Sequence, residues 1–340
     1  MAELGLGVPT PRKYWIALGL VVGVVVGLVI GYYLNAATLQ YAYRLLESAQ
    51  QPPPDVYVVA LSPKGAAFFL TAMGTPITTA QWSGGAARVA GAYRDMYIAY
   101  DGDRGKIFQI TQGLEIKNVV YIDGLVGVYL DEKGGYIYAL SRDKLYKISA
   151  DTLDIVKSVE VPNGVYIAGV NEPSTVVYVL TERSLVKFDG DLNKLGEVAV
   201  SGKSLFVGVL YFFVGGDGFV KSFDKSNRQI AEVKLDGGVS QLLACRGILL
   251  ASTDGGVYAV SIPDLRVIKR LDARGILYAD PTCSVVYAVE DSKATVILIP
   301  SLNTHVVNLP EPLDGLIFRT GAGAALGGGA ARKVALACGG

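Results

Sequence analysis

The chain of 340 residues holds one histidine, His305, three cysteines, Cys245, Cys283 and Cys338, and three methionines. Imidazole, thiolate and thioether chemistry therefore have little material. No Cys-x-x-Cys pair or Cys/His cluster occurs, so a structural zinc site, a c-type haem attachment and a cysteine–histidine dyad each lack a ligand or a base. A disulfide between Cys245 and Cys283 is one option in an oxidising compartment. Acid–base work would fall to carboxylates, Lys or Tyr, and no paired-carboxylate motif stands out. No catalytic residue, metal site or cofactor is expected, and no reaction is predicted.

Two strings imitate ligand motifs. "DGDRGK", Asp101 to Lys106, opens as a calcium loop does, but the later acidic ligands are missing, and it reads as a tight hairpin turn. "RTGAGAALGGGAARK" imitates a dinucleotide-binding turn, yet Leu326 stands where the third glycine belongs and too few residues follow to complete a βαβ unit. His305 follows a turn at Leu302 and is expected on an outer strand.

The element that must position everything else is the run Tyr14 to Leu34, 21 residues without a charge, bracketed by Tyr14 and Trp15 at one end and Tyr32 and Tyr33 at the other. As a helix it spans roughly 31 Å, the thickness of a bilayer core. It is read as a transmembrane signal anchor in preference to a cleaved signal peptide, whose apolar core is shorter. Arg12 and Lys13 precede it, which predicts a cytoplasmic amino terminus and the bulk of the chain outside the cell membrane. Gly19, Gly23, Gly27 and Gly31 fall on one helical stripe, and their partner is expected to be another membrane helix, of a second copy or of a different subunit. Net charge is zero, with 31 acidic and 31 basic residues, so no nucleic-acid partner is expected. The scarcity of His, Met and Cys beside abundant Val, Tyr and Gly suggests a thermophile.

Residues 1–13 are then a cytoplasmic tail, 14–34 the span, 35–54 a juxtamembrane helix with a Pro-rich linker, 55–320 the folded domain and 321–340 a Gly-rich tail or closing strand. From Asp55 the texture is all-β: short runs of Val, Ile, Tyr and Leu broken every 6 to 10 residues by turn formers. Four runs, starting at Tyr136, Val176, Ile248 and Val285, share one order of strand, polar turn, strand, leucine-bearing turn and more polar strand. The turn leucines are Leu114, Leu153, Leu192, Leu265 and Leu302. A period of 36 to 39 residues with four strands per unit predicts a β-propeller. Units are expected near 86–122, 126–161, 164–200, 203–235, 239–271 and 275–309. A further unit combines Val56 to Trp82 with "GLIFRT" at Gly315 to Thr320, so both chain ends close the ring. The count is seven blades, or eight if "RKVALA" in the tail forms another strand.

The second-strand strings "VYVVAL", "YIYAL", "VVYVL" and "VVYAV" resemble those of the YVTN and quinoprotein-like seven-bladed propellers. The resemblance implies a scaffold over residues 55 to 320 that serves enzymes and interaction modules alike. The Trp-Asp dipeptide of WD-repeat blades and the Ala-x-Asp-x-x-Thr-Gly pattern of quinone-binding blades are both absent.

In a propeller the turns between second and third strands share a face with the connections between blades, and that face is the expected binding surface. Its candidate residues are Asp101, Asp103, Asp123, Arg142, Asp143, Arg183, Asp217, Asp254 and Asp291. The expected role is an extracytoplasmic protein-interaction or scaffold module, an accessory subunit of a membrane or cell-surface assembly. The alternatives are a lyase, hydrolase or dehydrogenase working in the axial funnel, and a structural subunit of an extracellular filament or coat.

Overall fold

The computed structural model describes residues 56–171 and 173–320, and every regular element among them is a strand. The first sheet joins both ends of this region: β1 (Val56–Leu61), β2 (Ala66–Thr71) and β3 (Pro76–Gln81) follow one another, and the last strand, Gly315–Thr320, pairs antiparallel with β1 from Val56↔Thr320 to Leu61↔Gly315. The second sheet is β4 (Arg88–Tyr93), β5 (Met96–Asp101), β6 (Lys106–Thr111) and β7 (Ile116–Tyr121). The third is β8 (Leu125–Asp131), β9 (Tyr136–Ser141), β10 (Lys144–Ser149) and β11 (Ile155–Glu160). The fourth is β12 (Gly164–Asn171), β13 (Thr175–Thr181), β14 (Leu185–Asp189) and β15 (Lys194–Val198). A six-stranded sheet contains β16 (Ser204–Val207), β17 (Tyr211–Asp224), β18 (Gln229–Cys245), β19 (Ile248–Thr253), β20 (Gly256–Ser261) and β21 (Val267–Leu271). The last holds β22 (Ile276–Ala279), β23 (Val285–Glu290), β24 (Lys293–Leu298) and β25 (Thr304–Asn308), and Gly315–Thr320 is β26.

This is an all-β propeller, but the described residues form six hydrogen-bonded sheets where seven separate blades are expected. The expected units 203–235 and 239–271 share one ladder because β17 and β18 are long and change partners midway. Phe212–Gly215 pairs with β16 while Asp217–Phe223 pairs with β18. The start of β18 pairs with β17, and Val239–Cys245 pairs with β19.

Burial follows position within each sheet. Second and third strands are covered on both sides, so their sequences are near-continuous apolar runs; β9, β13 and β23 are buried along most of their length, whereas β3 is exposed throughout and β11 nearly so. Seven apolar clusters fill the interfaces. One lies inside the six-stranded sheet, where Phe213 and Val220 pack with Leu249 and Val260.

The turn leucines have a physical basis. Leu114, Leu153, Leu192, Leu265 and Leu302 all adopt left-handed φ between 55° and 66° and are all buried. Each N–H closes its turn onto a carbonyl three or four residues back, as in Leu153 N to Ser149 O at 2.9 Å. Gly74 and Asn227 hold the same place in their units, with φ of 84° and 71°. A side chain of the preceding unit grips these turns. The Gln109 amide donates to Ala150 O at 2.7 Å, Lys147 pairs with Asp191 at 2.7 Å, Ser222 donates to Pro263 O at 2.9 Å, and the Tyr287 hydroxyl donates to Ala72 O at 2.7 Å. Cys245, ending β18, and Cys283, between β22 and β23, form a disulfide with Cα atoms 5.2 Å apart.

The amino-terminal tail, the span at 14–34 with Gly19, Gly23, Gly27 and Gly31, the linker and the tail at 321–340 lie outside the described residues.

Candidate functional site: a funnel on the connection face

Antiparallel order within each sheet sends the turns between second and third strands, and the connections between sheets, to one face. Backbone bonds lock these segments together. Gly105 N–H bonds to Gly102 O at 3.3 Å, closing the β5–β6 turn, and Ile122 N–H in the next connection bonds to Gly105 O at 2.7 Å. Gly105 is required there: its φ is +63°, and a Cβ would lie 2.3 Å from Ile122 O. The Arg142–Asp143 turn is fixed in the same way, by Arg142 N to Gly124 O at 3.2 Å and Val161 N to Asp143 O at 2.8 Å.

These segments wall a cavity of about 930 Å³ between the β4–β7 and β8–β11 sheets. Asp101, Asp103, Asp123, Arg142 and Asp143 all line it, with Arg104, Arg88 and Asp314. Asp103, Asp123, Arg142 and Asp143 are exposed. Asp101 is only 4 % exposed, and its carboxylate accepts from Asp103 N–H at 3.1 Å and Arg104 N–H at 3.2 Å, so it builds the turn and is not free for a ligand.

The other four candidates stand elsewhere on this face. Arg183 lines a separate groove of about 570 Å³ with Glu160, Asn163 and Glu182. Asp217 forms an exposed ion pair with Lys203 at 2.6 Å. Asp254 accepts from Gly238 N–H at 3.3 Å. Asp291, at φ 55°, offers its carbonyl to Leu313 N–H at 2.9 Å. His305 is exposed on the outer strand β25.

Arg88, Tyr100 and Val126 also line a second space of about 390 Å³ toward the propeller axis, which continues the first. Inner strands contribute Val89, Val128, Val165, Tyr166, Ile167, Ile276, Leu277 and Tyr278, along with Ser240, Gln241 and Gly275. Gly275 is forced by close approach, since a Cβ there would lie 1.8 Å from Val289 O.

Among the described residues, Arg88 is the one charged residue lining this inner space. Its guanidinium is open to the funnel but walled by protein. Burial pulls its pKa down, while Tyr100, Tyr278 and Asp314 outweigh that and leave it above the usual value. Tyr100, Tyr166 and Tyr278 are all shifted upward, first by burial, so each keeps its phenolic proton at neutral pH. Tyr278 donates to Asp314 O at 2.6 Å, and the Asp314 carboxylate accepts from Ala87 N–H at 2.7 Å.

Sequence reasoning names the rim but misses Arg88, Tyr100, Tyr166 and Tyr278. One signal was present: "RVAGAY" begins an inner strand with arginine, whereas none of the other inner strands begins with a charged residue.

No protein-family model matches the chain, and no curated protein matches its sequence. Solved structures do match in fold. The crystal structure of a functionally unknown protein from Desulfotomaculum acetoxidans DSM 771 aligns with a TM-score of 0.65 at 10% identity, over 78% of this chain and 99% of that one. Dihydro-heme d1 dehydrogenase NirN in complex with DHE aligns with a TM-score of 0.54 at 12% identity, over 83% of this chain and 76% of that one. At such identities the likeness is one of fold: the chain is similar to these proteins in its all-β propeller scaffold.

Proposed function

We propose that this protein is a membrane-anchored, extracytoplasmic propeller whose connection face binds a protein partner, as an accessory or scaffolding subunit of a membrane or cell-surface assembly. The observation that carries the reading is the convergence of Asp103, Asp123, Arg142 and Asp143 with Arg88 around one cavity of about 930 Å³. Exposed charges of both signs around a concave opening give orientation and specificity to an encounter. The Tyr14–Leu34 run supports the anchor, and the glycine stripe supports a helix partner. The Cys245–Cys283 disulfide supports an oxidising compartment for the propeller. We also read the six-stranded sheet as two blade equivalents, giving seven packing units, a reading supported by the seven apolar clusters and the seven left-handed turns.

The test is differential capture of the full-length, membrane-extracted protein. Reversing charges with Asp123→Lys and Arg142→Glu is expected to remove a co-purifying protein that the wild type and an outer-strand control, Ile268→Lys, both retain. Equal retention by all three forms would overturn the face assignment.

A second reading, an enzyme acting in the funnel, is favoured by the axial space beside Arg88 and by the fold likeness to a dehydrogenase in complex with its ligand. Its acid–base groups would be the funnel tyrosines and Asp314, because His305 lies on an outer strand. Turnover lost in Tyr166→Phe would distinguish it.

A further inference from the structure

The inner half of the funnel presents hydrogen-bond donors with few free acceptors. Among the side chains that line it, Gln241 is consumed by the backbone, donating to Leu277 O at 2.9 Å and accepting from Leu277 N–H at 2.7 Å. The Ser240 hydroxyl donates to Ser252 O at 3.2 Å, and the Tyr278 hydroxyl donates to Asp314 O. What remains is Arg88, Tyr100 and Tyr166. Arg88 and Tyr100 line the space side by side; a guanidinium can only donate, and the Tyr100 hydroxyl has a proton to give. Tyr166 packs against the apolar cluster beside β13 and lines the same space as Arg88 and Tyr100. Beyond these three and the already bonded Ser240, Gln241 and Tyr278, the lining is aliphatic or glycine.

We propose that this inner space binds a small organic monocarboxylate with an apolar or aromatic body, the carboxylate held by Arg88, Tyr100 and Tyr166. Asp314, the carboxylate near Arg88, lines only the outer cavity and is engaged by Ala87 N–H, so within the inner space one cation faces one negative charge of the ligand. A planar carboxylate matches the guanidinium fork, and a phosphate dianion would be left half compensated. The apolar body finds Val126, Val165 and Ile276, and a space of about 390 Å³ is in the range of small-ligand sites. The mixed charges at the mouth admit the ligand without trapping it there. The inference rests on reading the connection face as the recognition surface and adds the ligand chemistry of its inner half.

The test is calorimetric titration of the full-length protein in detergent with phenylacetate and with its uncharged analogue phenylacetamide. The acid is expected to saturate and the amide to bind at least about tenfold more weakly, since a hydrogen bond to a charged group is worth roughly 1.5–3 kcal/mol. Tyr166→Phe is expected to weaken the acid about tenfold and the amide, whose neutral carbonyl is the weaker acceptor, by less, and Arg88→Gln to abolish the difference between the two probes. No saturable binding of the acid up to about 10 mM, equal affinity for acid and amide, or an unaffected Arg88→Gln variant would each overturn the proposal. If Arg88→Gln melts early, the acid-to-amide ratio in wild type and in Tyr166→Phe decides. Absent acid binding with charge-reversal variants still losing their protein partner defeats the ligand alone. Acid binding with no partner lost defeats the partner surface alone.

Discussion

The Tyr278 hydroxyl donates a 2.6 Å hydrogen bond to the carbonyl of Asp314, and so ties the inner strand of the last sheet to the connection that leads into the closing strand. The Asp314 carboxylate then holds Ala87 N–H at 2.7 Å, immediately before Arg88. Three segments far apart in sequence thus set the backbone from which the funnel's cation projects. Tyr278→Phe removes the donor and leaves a part-buried carbonyl unsatisfied, at a cost of about 1–3 kcal/mol. For a domain of this size that is a drop in melting temperature of roughly 2–4 °C per kcal/mol, measurable by scanning calorimetry. An unchanged melting temperature would mean water replaces the bond.

The Cys245–Cys283 bridge closes a segment with a sequence separation of 38. By loop-closure entropy such a cross-link stabilises by about 4 kcal/mol. The double variant Cys245→Ser/Cys283→Ser is expected to unfold at lower urea by an amount near that value. Peptide mapping without reductant is expected to recover Cys245 and Cys283 as one linked species.

Leu153 sets two effects against each other. Its left-handed φ of 62° costs a non-glycine residue about 1–2 kcal/mol, yet the side chain is 4 % exposed, and truncating a buried leucine costs roughly 2–5 kcal/mol. Burial wins on these magnitudes. Leu153→Gly is therefore expected to destabilise the protein despite relieving the backbone, as read from urea denaturation. A stabilised variant would show that the leucine contributes little packing.

Lys225 and Lys187 meet over the ring of Tyr178, 5.1 and 5.3 Å from its centroid. Burial first, and then Lys187, lower the Lys225 pKa to about 8. Between pH 8 and the ordinary lysine pKa the unfolded chain holds a proton that the folded one has lost, so stability rises with pH in that window. Below pH 8 the penalty of the buried cation is present in full. Lys225→Met is expected to be more stable than wild type at pH 7 and to show a flatter rise from pH 8 to 10. The comparison stops there because Tyr178, whose pKa burial raises, contributes the opposite slope once unfolded tyrosines ionise. A parallel pair of curves would place Lys225 in water.

Much of the fold is legible in the sequence because the repeat carries its own geometry. A buried leucine in a left-handed turn recurs at a fixed place in the unit, and apolar runs mark strands covered on both sides. Pairing of Gly315–Thr320 with Val56–Leu61 follows from counting strands per unit. The six-stranded sheet was not legible. The glycines between Gly215 and Gly218, and at Gly237 and Gly238, read as breaks, whereas β17 and β18 run through them. The rim of the site was half legible: five of the nine candidates share a cavity, since turn position alone fixes the face. Asp101 misleads because an aspartate that caps its own turn has the same sequence signature as one that faces a ligand. Arg88, Tyr100, Tyr166 and Tyr278 come from β4, β5, β12 and β22, and only closure of the ring brings them together.

The central claim is that the connection face binds a partner and the opposite face does not. A photo-crosslinking residue placed at Asp123 in the full-length protein, in whole cells, tests it directly against the same residue placed at Glu115, in the turn between β6 and β7 on the other side. The account predicts a discrete higher-mass adduct from position 123 and none from position 115. Adducts at 115 alone, or at neither position, would contradict it.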